Sequence, residues 1–161
     1  MDVTMKTTVC KYEGKIYKTV KKTENNTVIL SSYDEKINKR SVLYIAHLGV
    51  YHTEVNIEDV DELYDVDSWV LYRGLLCEPR SLSSVLLERN YIYIIAPKDI
   101  KNASEYGFER EDNSFYQKKV NLKDIEAVVT KKVWIKGKEK GTTEIIKTDM
   151  VQFLEEDLYY Y

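Results

Sequence analysis

The sequence predicts a mainly β protein of the α+β type, with short helices between its strands. Aromatic residues make up 12% of the 161-residue chain, and 14 of them are tyrosines, whose rings suit half-buried strands while their hydroxyls reach water. Several segments also alternate apolar and polar residues with the strand period of two. Apolar residues reach 43%, which is enough to build a core and excludes a disordered chain.

An internal repeat organises the chain. The segment Val55–Asp61 resembles Val120–Glu126 at an offset of 65 residues, and Trp69 corresponds to Trp134 at the same offset without a gap from residue 28 to 70. Ungapped similarity of this length indicates duplication of one module. We expect the two tryptophans to occupy equivalent, largely buried places.

A second similarity extends the repeat towards the N-terminus. Tyr12–Tyr17 resembles Tyr72–Cys77 at an offset of 60 residues, and Ile135–Lys138 begins a partial third unit. We therefore predict copy one at residues 1–67, copy two at 68–132, and a C-terminal extension at 133–161.

The first half of the module is predicted to be strand. Alternating residues from Val9 to Val20 indicate two strands around a turn at Glu13-Gly14, and Val28–Leu30 resumes a strand. The equivalent segment in copy two, Tyr91–Ala96, is almost continuously apolar, so we expect it to be a central strand. In copy one, Val42–Ala46 reads as a further strand.

The second half adds a helix, a turn and a last strand. In copy two a short helix is predicted from Pro97 to Tyr106, with Asp99 near its start and Gly107 as the left-handed residue after its end. The segments that follow are predicted as a strand (Tyr51–Val55, Phe115–Val120), a capped single turn (Asn56 to Asp59, Asn121 to Asp124) and a last strand (Val60–Val66, Ile125–Val129).

Five short strands with one tight turn before the last, in about 60 residues, suggest a small SH3-like barrel. The chain is therefore predicted to be two tandem SH3-like barrel modules with short helices and a C-terminal extension. A two-layer α+β sandwich is the main alternative.

No constellation of residues indicates catalysis, a metal site or a cofactor. The chain lacks a Walker loop and the GxGxxG, GxSxG and HExxH motifs. His47 and His52 are five residues apart and point to opposite faces of a strand. A reactive thiol needs electropositive surroundings, whereas Glu13 and Glu78 lie close to Cys10 and Cys77 in the sequence. We expect a protein that is not an enzyme.

Composition also bears on partners and location. A net charge of −3 gives no support to a general nucleic-acid binder. No apolar run approaches the ~20 residues of a membrane-spanning helix, and the polar stretch from Met1 to Val9 lacks the apolar region of a signal peptide. We expect a cytoplasmic protein that does not bind membranes.

The two copies have diverged in charge. Between residues 54 and 67 the chain carries seven acidic residues and no Lys or Arg, and we call them the acidic segment. Its members are Glu54, Glu58, Asp59, Asp61, Glu62, Asp65 and Asp67. The stretch Lys118–Lys140 instead carries eight lysines against three acidic residues. Both could be solvated faces, they could pair with each other, or the acidic segment could dock a basic partner, and we favour docking.

A family resemblance points in the same direction. The order of strand, Asp99-led helix ending at Tyr106-Gly107-Phe108, strand with Tyr116 and then Val120–Glu126 resembles small bacterial proteins of SH3-like repeats. Several of these are encoded as immunity proteins of polymorphic toxin systems. The resemblance covers residues 90 to 135 best and implies neutralisation of a cognate toxin by binding, without catalysis. A basic toxin domain such as a nuclease would suit the acidic segment.

Two other classes of function stay open at this point. One is a nucleic-acid-binding or regulatory SH3-like module that uses the Lys118–Lys140 stretch beside Trp134 and Tyr116. The other is an enzyme of unfamiliar type.

Overall fold

The computed structural model describes residues 6–23, 26–32, 42–46, 49–111 and 115–157. The chain is mainly β, and its strands pair in open antiparallel order. Two compact units are present. The N-terminal unit contains residues 7–66 and 132–143, and the C-terminal unit contains Lys6, 67–131 and 144–157 among the described residues.

Residues 7–66 of the N-terminal unit contain five complete strands and the start of a sixth. They are β1 (Thr7–Tyr12), β2 (Lys15–Thr23), β3 (Thr27–Ser32), β4 (Val42–Ile45), β5 (Val50–Asn56) and β6 (Glu62–Tyr72). A 3-10 turn, Ile57–Asp59, connects β5 to β6. The strands pair in the order β4-β5-β3-β2-β1-β6. Apolar residues that alternate along these strands build its core, including Cys10, Val28, Leu30, Val55 and Leu63.

The C-terminal unit repeats much of this order. It contains the end of β6, then β7 (Leu75–Pro79), helix α1 (Val85–Arg89), β8 (Tyr91–Ile95), a 3-10 turn (Ala103–Tyr106), β9 (Glu109–Arg110), β10 (Tyr116–Asn121), a 3-10 turn (Leu122–Asp124) and the start of β11 (Ala127–Lys136). Its strands pair in the order β6-β7-β8-β10-β9, so β8 is flanked on both sides as the sequence predicts.

The chain ends in a hairpin and a short helical segment. After a 3-10 turn, Lys138–Lys140, strand β12 (Thr142–Lys147) pairs with β11. Helix α2 (Met150–Gln152) begins with Asp149, whose carboxylate accepts a hydrogen bond from the Gln152 N–H at 3.0 Å, and a π-helical turn (Phe153–Asp157) follows.

The two long strands each belong to both units. Residues 62–66 of β6 lie in the N-terminal unit and residues 67–72 in the C-terminal unit. Residues 127–131 of β11 lie in the C-terminal unit and residues 132–136 in the N-terminal unit. β11 pairs with β6. In the N-terminal unit the ring of Tyr64 packs on Trp134, and in the C-terminal unit the hydroxyls of Ser68 and Thr130 are hydrogen-bonded at 3.1 Å.

The hairpins after β1 and β6 share their turn geometry. The φ angles of Glu13 and Gly14 are 50° and 78°, and those of Arg73 and Gly74 are 47° and 77°. Positive φ at both central residues twists a two-residue turn to match its strands. In each hairpin an acidic residue, Asp61 or Glu126, accepts a hydrogen bond from the turn glycine N–H, at 3.3 and 2.9 Å respectively.

Backbone contacts match elsewhere as well. The Ile57 N–H donates to the Asn26 carbonyl and the Leu122 N–H to the Asn90 carbonyl, both at 3.0 Å. Both asparagines have positive φ, 60° and 64°. These matches support duplication, with one correction to its alignment. Val55 pairs with Val28, whereas Val120, its equivalent, pairs with Ile92, so the offset there is 64 and not 65 residues.

The finer architecture differs in part from the sequence-based expectation. The helix predicted from Pro97 begins only at Ala103, because Pro97 and Ile100 close a separate turn in which the Ile100 N–H donates to the Pro97 carbonyl at 3.2 Å. Gly107 ends it in the left-handed region, with φ 85°, as predicted. The 3-10 turns at residues 57–59 and 122–124 form without a side-chain cap from the preceding asparagine.

The strands predicted around Glu13-Gly14 are present, and the strand predicted at residues 42–46 is present as β4, which ends at Ile45. The sequence did not predict α1 and α2. The division at residues 67 and 132 and the two tandem SH3-like barrels stay predictions. No helix among the described residues is long and apolar enough to span a membrane.

The two tryptophans are not equivalent, which overturns that expectation. Trp134 is 5% exposed, packs on Tyr64 with ring centroids 4.6 Å apart, and donates from Nε1 to Thr143 Oγ1 at 3.0 Å. Trp69 is only half-buried and lines a cavity. Its strand carries core residues at the alternate positions, such as Ser68 and Val70, so Trp69 points to the other face.

We expect Trp134→Ala to lower the free energy of unfolding by about 3–5 kcal/mol, because a buried aromatic side chain and its hydrogen bond are lost. Trp69→Ala should cost about 1–2 kcal/mol, in proportion to its smaller burial. Urea melts of both variants measure the difference. Equal losses would contradict this assignment of the core.

Candidate functional site

The structure disperses the acidic segment instead of forming one patch. Six of its seven residues lie in the N-terminal unit, and Asp67 lies in the C-terminal unit. Glu54 is exposed on β5 and accepts a hydrogen bond from Thr27 Oγ1 at 2.7 Å. Strands β3, β2 and β1 separate it from Asp65 on β6, which accepts from Thr8 Oγ1 at 2.6 Å.

Four of the residues are brought together where β5 turns into β6. They are Glu58, Asp59, Asp61 and Glu62, and we call this group the acidic turn. The first three are exposed, and Glu62 is half-buried. The local fold follows from the sequence: the 3-10 turn places Glu58 and Asp59 outwards, while buried Val60 anchors the segment in the core. Asp61 is held by the Gly14 N–H.

One lysine from the basic stretch reaches this turn. Lys136 Nζ donates to the backbone carbonyls of Ile57, Glu58 and Val60 at 3.0, 2.8 and 2.5 Å. An ammonium group has three donors, so backbone carbonyls occupy all of them. Among the described residues, no cation lies within ion-pair distance of a carboxylate of the acidic turn. Lys136 therefore stabilises the turn through its backbone carbonyls, and the side chains of Glu58, Asp59 and Asp61 stay exposed.

The equivalent turn of the C-terminal unit is built differently. Helix α2 packs against the turn Leu122–Asp124, and Leu122 is buried, whereas Ile57 at the equivalent position is only half-buried. Lys123 replaces Glu58 at the matching place. The exposed, acidic form of the turn is thus a property of the N-terminal unit.

The Lys118–Lys140 stretch does not form one basic face within either unit. Lys118 Nζ donates to Tyr72 Oη at 2.7 Å and to the Tyr106 carbonyl at 3.0 Å. Other lysines lie over aromatic rings: the Nζ atoms of Lys119, Lys132 and Lys138 lie 4.0, 4.8 and 5.2 Å from the ring centroids of Tyr91, Tyr64 and Trp134. Most of this charge therefore already has an aromatic or carbonyl partner in its own unit.

Asp67 belongs to a different environment. It is half-buried on β6, and burial raises the pKa of its carboxyl, while the hydrogen bond from the Ser68 N–H and the charges of Lys6 and Lys131 lower it. It lies on β6, three residues after the core residue Tyr64.

The cysteines and histidines do not assemble a reactive site. The pKa of each thiol is raised to about 12. Burial is the cause at Cys77 and the largest cause at Cys10, where the charge of Asp61 also raises the pKa and that of Lys136 lowers it. His52 is half-buried on β5, and His47 lies outside the described residues. In the described part of the chain no group of three or more His, Cys, Asp or Glu residues could hold a metal ion.

A cavity that the sequence did not predict lies in the C-terminal unit. Its volume is about 540 Å³, and aromatic and aliphatic side chains form most of its lining. Trp69 is one wall, although the repeat placed this residue in the core. The strand period of two could have shown that Trp69 does not belong to the core, because this residue alternates with the buried positions of β6.

We expect Lys136→Met to destabilise the protein by about 1–3 kcal/mol, because three carbonyls of the turn lose their donor. Lys140→Met is the matched control, since the exposed Lys140 side chain has no hydrogen-bond or ion-pair partner among the described residues, and it should change stability by less than about 0.5 kcal/mol. Urea melts measure the loss of stability in each variant. Equal losses would show that the turn does not depend on the Lys136 amine.

We expect both thiols to be unreactive towards a thiolate-specific disulfide reagent at pH 8, because their raised pKa leaves them protonated and their side chains are 0% exposed. Both should react once urea unfolds the chain. Since the folded state holds these protons more tightly, stability should fall as the pH rises above the ordinary thiol range. Rapid labelling of the folded protein would refute this.

Residues 5–136 match the family described as Uncharacterised conserved protein UCP033725. No curated protein and no solved structure matches the chain. The matched region includes the acidic turn, Lys136 and all strands from β1 to β11, and the chain belongs to this family.

Proposed function

We propose that this protein is a non-enzymatic inhibitor that binds another protein, of the immunity type that neutralises a cognate bacterial toxin. The observation that carries the proposal is the acidic turn. Glu58, Asp59 and Asp61 are exposed on a turn that Lys136 fixes through backbone carbonyls. A preformed cluster of carboxylates suits a basic partner, because complementary charges speed encounter and select the partner.

The proposal includes the architecture of the module. We propose that each copy is an SH3-like unit that serves as a scaffold for its turn. Support comes from the hairpin β1–β2, the neighbouring strands β3 and β5, and the tight 3-10 turn before β6. In this arrangement the turn is tied to strands at both ends, so the carboxylates are held in place before a partner arrives and less ordering is needed on binding.

The partner we propose is a basic toxin domain, for instance a nuclease, met in the cytoplasm. Its basic surface would replace the water around the exposed carboxylates without needing to displace an existing ion pair. The acidic segment as predicted from sequence, with seven residues, narrows in this proposal to the four of the acidic turn. Glu54, Asp65 and Asp67 lie elsewhere on the strands.

A nucleic-acid-binding or regulatory role for the Lys118–Lys140 stretch is less well supported. Lys118 and Lys136 donate to carbonyl and hydroxyl oxygens of their own units. Trp134, proposed as a stacking partner, is buried and unavailable to a base.

The test is the triple variant Glu58→Gln, Asp59→Asn, Glu62→Gln. The probe is the C-terminal domain of a large secreted protein encoded beside this gene, with affinity measured by calorimetry. We expect binding to weaken by about 2 kcal/mol or more, as for charges at the centre of an interface. Stability at low salt should stay level or rise, since like charges are removed.

The matched control is the triple variant Glu88→Gln, Glu105→Gln, Glu144→Gln, which removes the same charge from exposed positions of the C-terminal unit. It should bind normally. Two outcomes would overturn the proposal: equal loss of affinity in both triple variants, or destabilisation of the acidic-turn variant that shrinks with salt, which would mean that the carboxylates pair within the protein.

A further inference from the structure

Three of the side chains that line the cavity in the C-terminal unit come from neighbouring strands, Trp69 of β6, Glu78 of β7 and Ile95 of β8. Glu78 pairs with Ile95, and directly opposed residues on antiparallel strands share a face. The pairing of β6 with β7 ends at Val70 and Cys77, and Trp69 and Glu78 lie next to this last pair. An indole, a carboxylate and an aliphatic side chain therefore line the same cavity.

The walls are apolar and partly open to solvent. Besides Trp69 and Ile95, they include Leu76, Pro97, Phe115 and Tyr116. Leu76 is 44% exposed and Tyr116 is 39% exposed. Exposed apolar side chains gathered around one concavity are typical of binding sites, because they gain free energy when a ligand covers them.

Glu78 supplies the one anionic group of this lining. It is half-buried and makes no hydrogen bond or ion pair with any described residue. Lys98 also lines the cavity, is exposed and has an interaction of its own. A half-buried carboxylate beside an indole and a phenol favours a cation that can both stack on a ring and donate hydrogen bonds.

We propose that this cavity receives one arginine side chain of a protein partner, with the guanidinium stacked between aromatic walls and hydrogen-bonded to Glu78. Arginine fits better than lysine because its planar fork meets a carboxylate through two hydrogen bonds and its flat faces lie on aromatic rings. The inference rests on the proposed function only in taking the partner to be a basic protein. It adds a second recognition site, separate in sequence from the acidic turn.

The test uses a small probe and needs no identified partner. The chain has two tryptophans, so its ¹⁵N spectrum contains two indole N–H signals, and Trp134→Phe assigns them. Titration with acetyl-Gly-Arg-Gly-amide should shift the Trp69 signal in a saturable way and leave that of Trp134 in place. The matched peptide with citrulline, which keeps the shape without the charge, should bind at least about tenfold more weakly.

Variants separate the carboxylate from general charge effects. Glu78→Gln should weaken binding of the arginine peptide by about tenfold or more, whereas Glu88→Gln, an equal change of charge on α1, should leave it unchanged. The unshifted Trp134 signal verifies that each variant is folded. The citrulline comparison uses the unaltered protein, so it stands even if Glu78→Gln perturbs the fold.

Several outcomes would overturn the inference. They are a Trp69 signal that does not saturate, equal binding of the arginine and citrulline peptides, or stronger binding of a leucine peptide, which would make the cavity an apolar site. The acidic-turn triple variant should bind the arginine peptide like the unaltered protein. If the acidic-turn triple variant no longer binds the arginine peptide, the peptide does not bind at the cavity and the inference is refuted. Loss of the toxin interaction with peptide binding intact bears only on the proposed function.

Discussion

Strand β6 is the element on which the rest of the structure depends. It pairs with β1 in the N-terminal unit and with β7 in the C-terminal unit, and β11 pairs along it as well. Its alternate residues from Tyr64 to Tyr72 are buried, so the strand supplies core side chains to both units. A shift of one residue in its register would turn every one of these side chains to the opposite face, which makes the register strongly specified.

The duplicated backbone carries different side-chain chemistry in its two copies. Both hairpin turns are tied to a following acidic residue, Asp61 or Glu126, by the same hydrogen bond from a glycine N–H. The 3-10 turns beside them have diverged. One is held by a lysine through its carbonyls and exposes acidic side chains, and the other is covered by α2. A fixed backbone frame thus permits one turn to expose its acidic side chains while the other becomes part of a core.

The same divergence separates the two tryptophans. Trp134 fills the core of the N-terminal unit beside Tyr64. Trp69 stands at the equivalent place in the sequence repeat but lies on the other face of β6, and it lines a cavity together with Glu78, whose carboxylate has no partner among the described residues. The acidic turn and the cavity therefore both lie where matching residues are buried in one copy and only half-buried in the other, Leu122 against Ile57 and Trp134 against Trp69.

The sequence by itself determined the local structure. Period-two alternation located the hairpin at Glu13-Gly14, a nearly continuous apolar run located the central strand Tyr91–Ile95, and a glycine after a predicted helix located the left-handed Gly107. Each signal is local, because strand faces and positive φ values depend on residues close together in the chain. It also located the acidic residues as a group. Only the tertiary structure decided which of them share a surface, since Glu54 and Asp65 belong to the same 14-residue acidic segment but are separated by three strands of the sheet. The contact of Lys136 with residue 57 spans 79 positions, and the pairing of Glu78 with Ile95 depends on strand register, so neither could be predicted from local pattern.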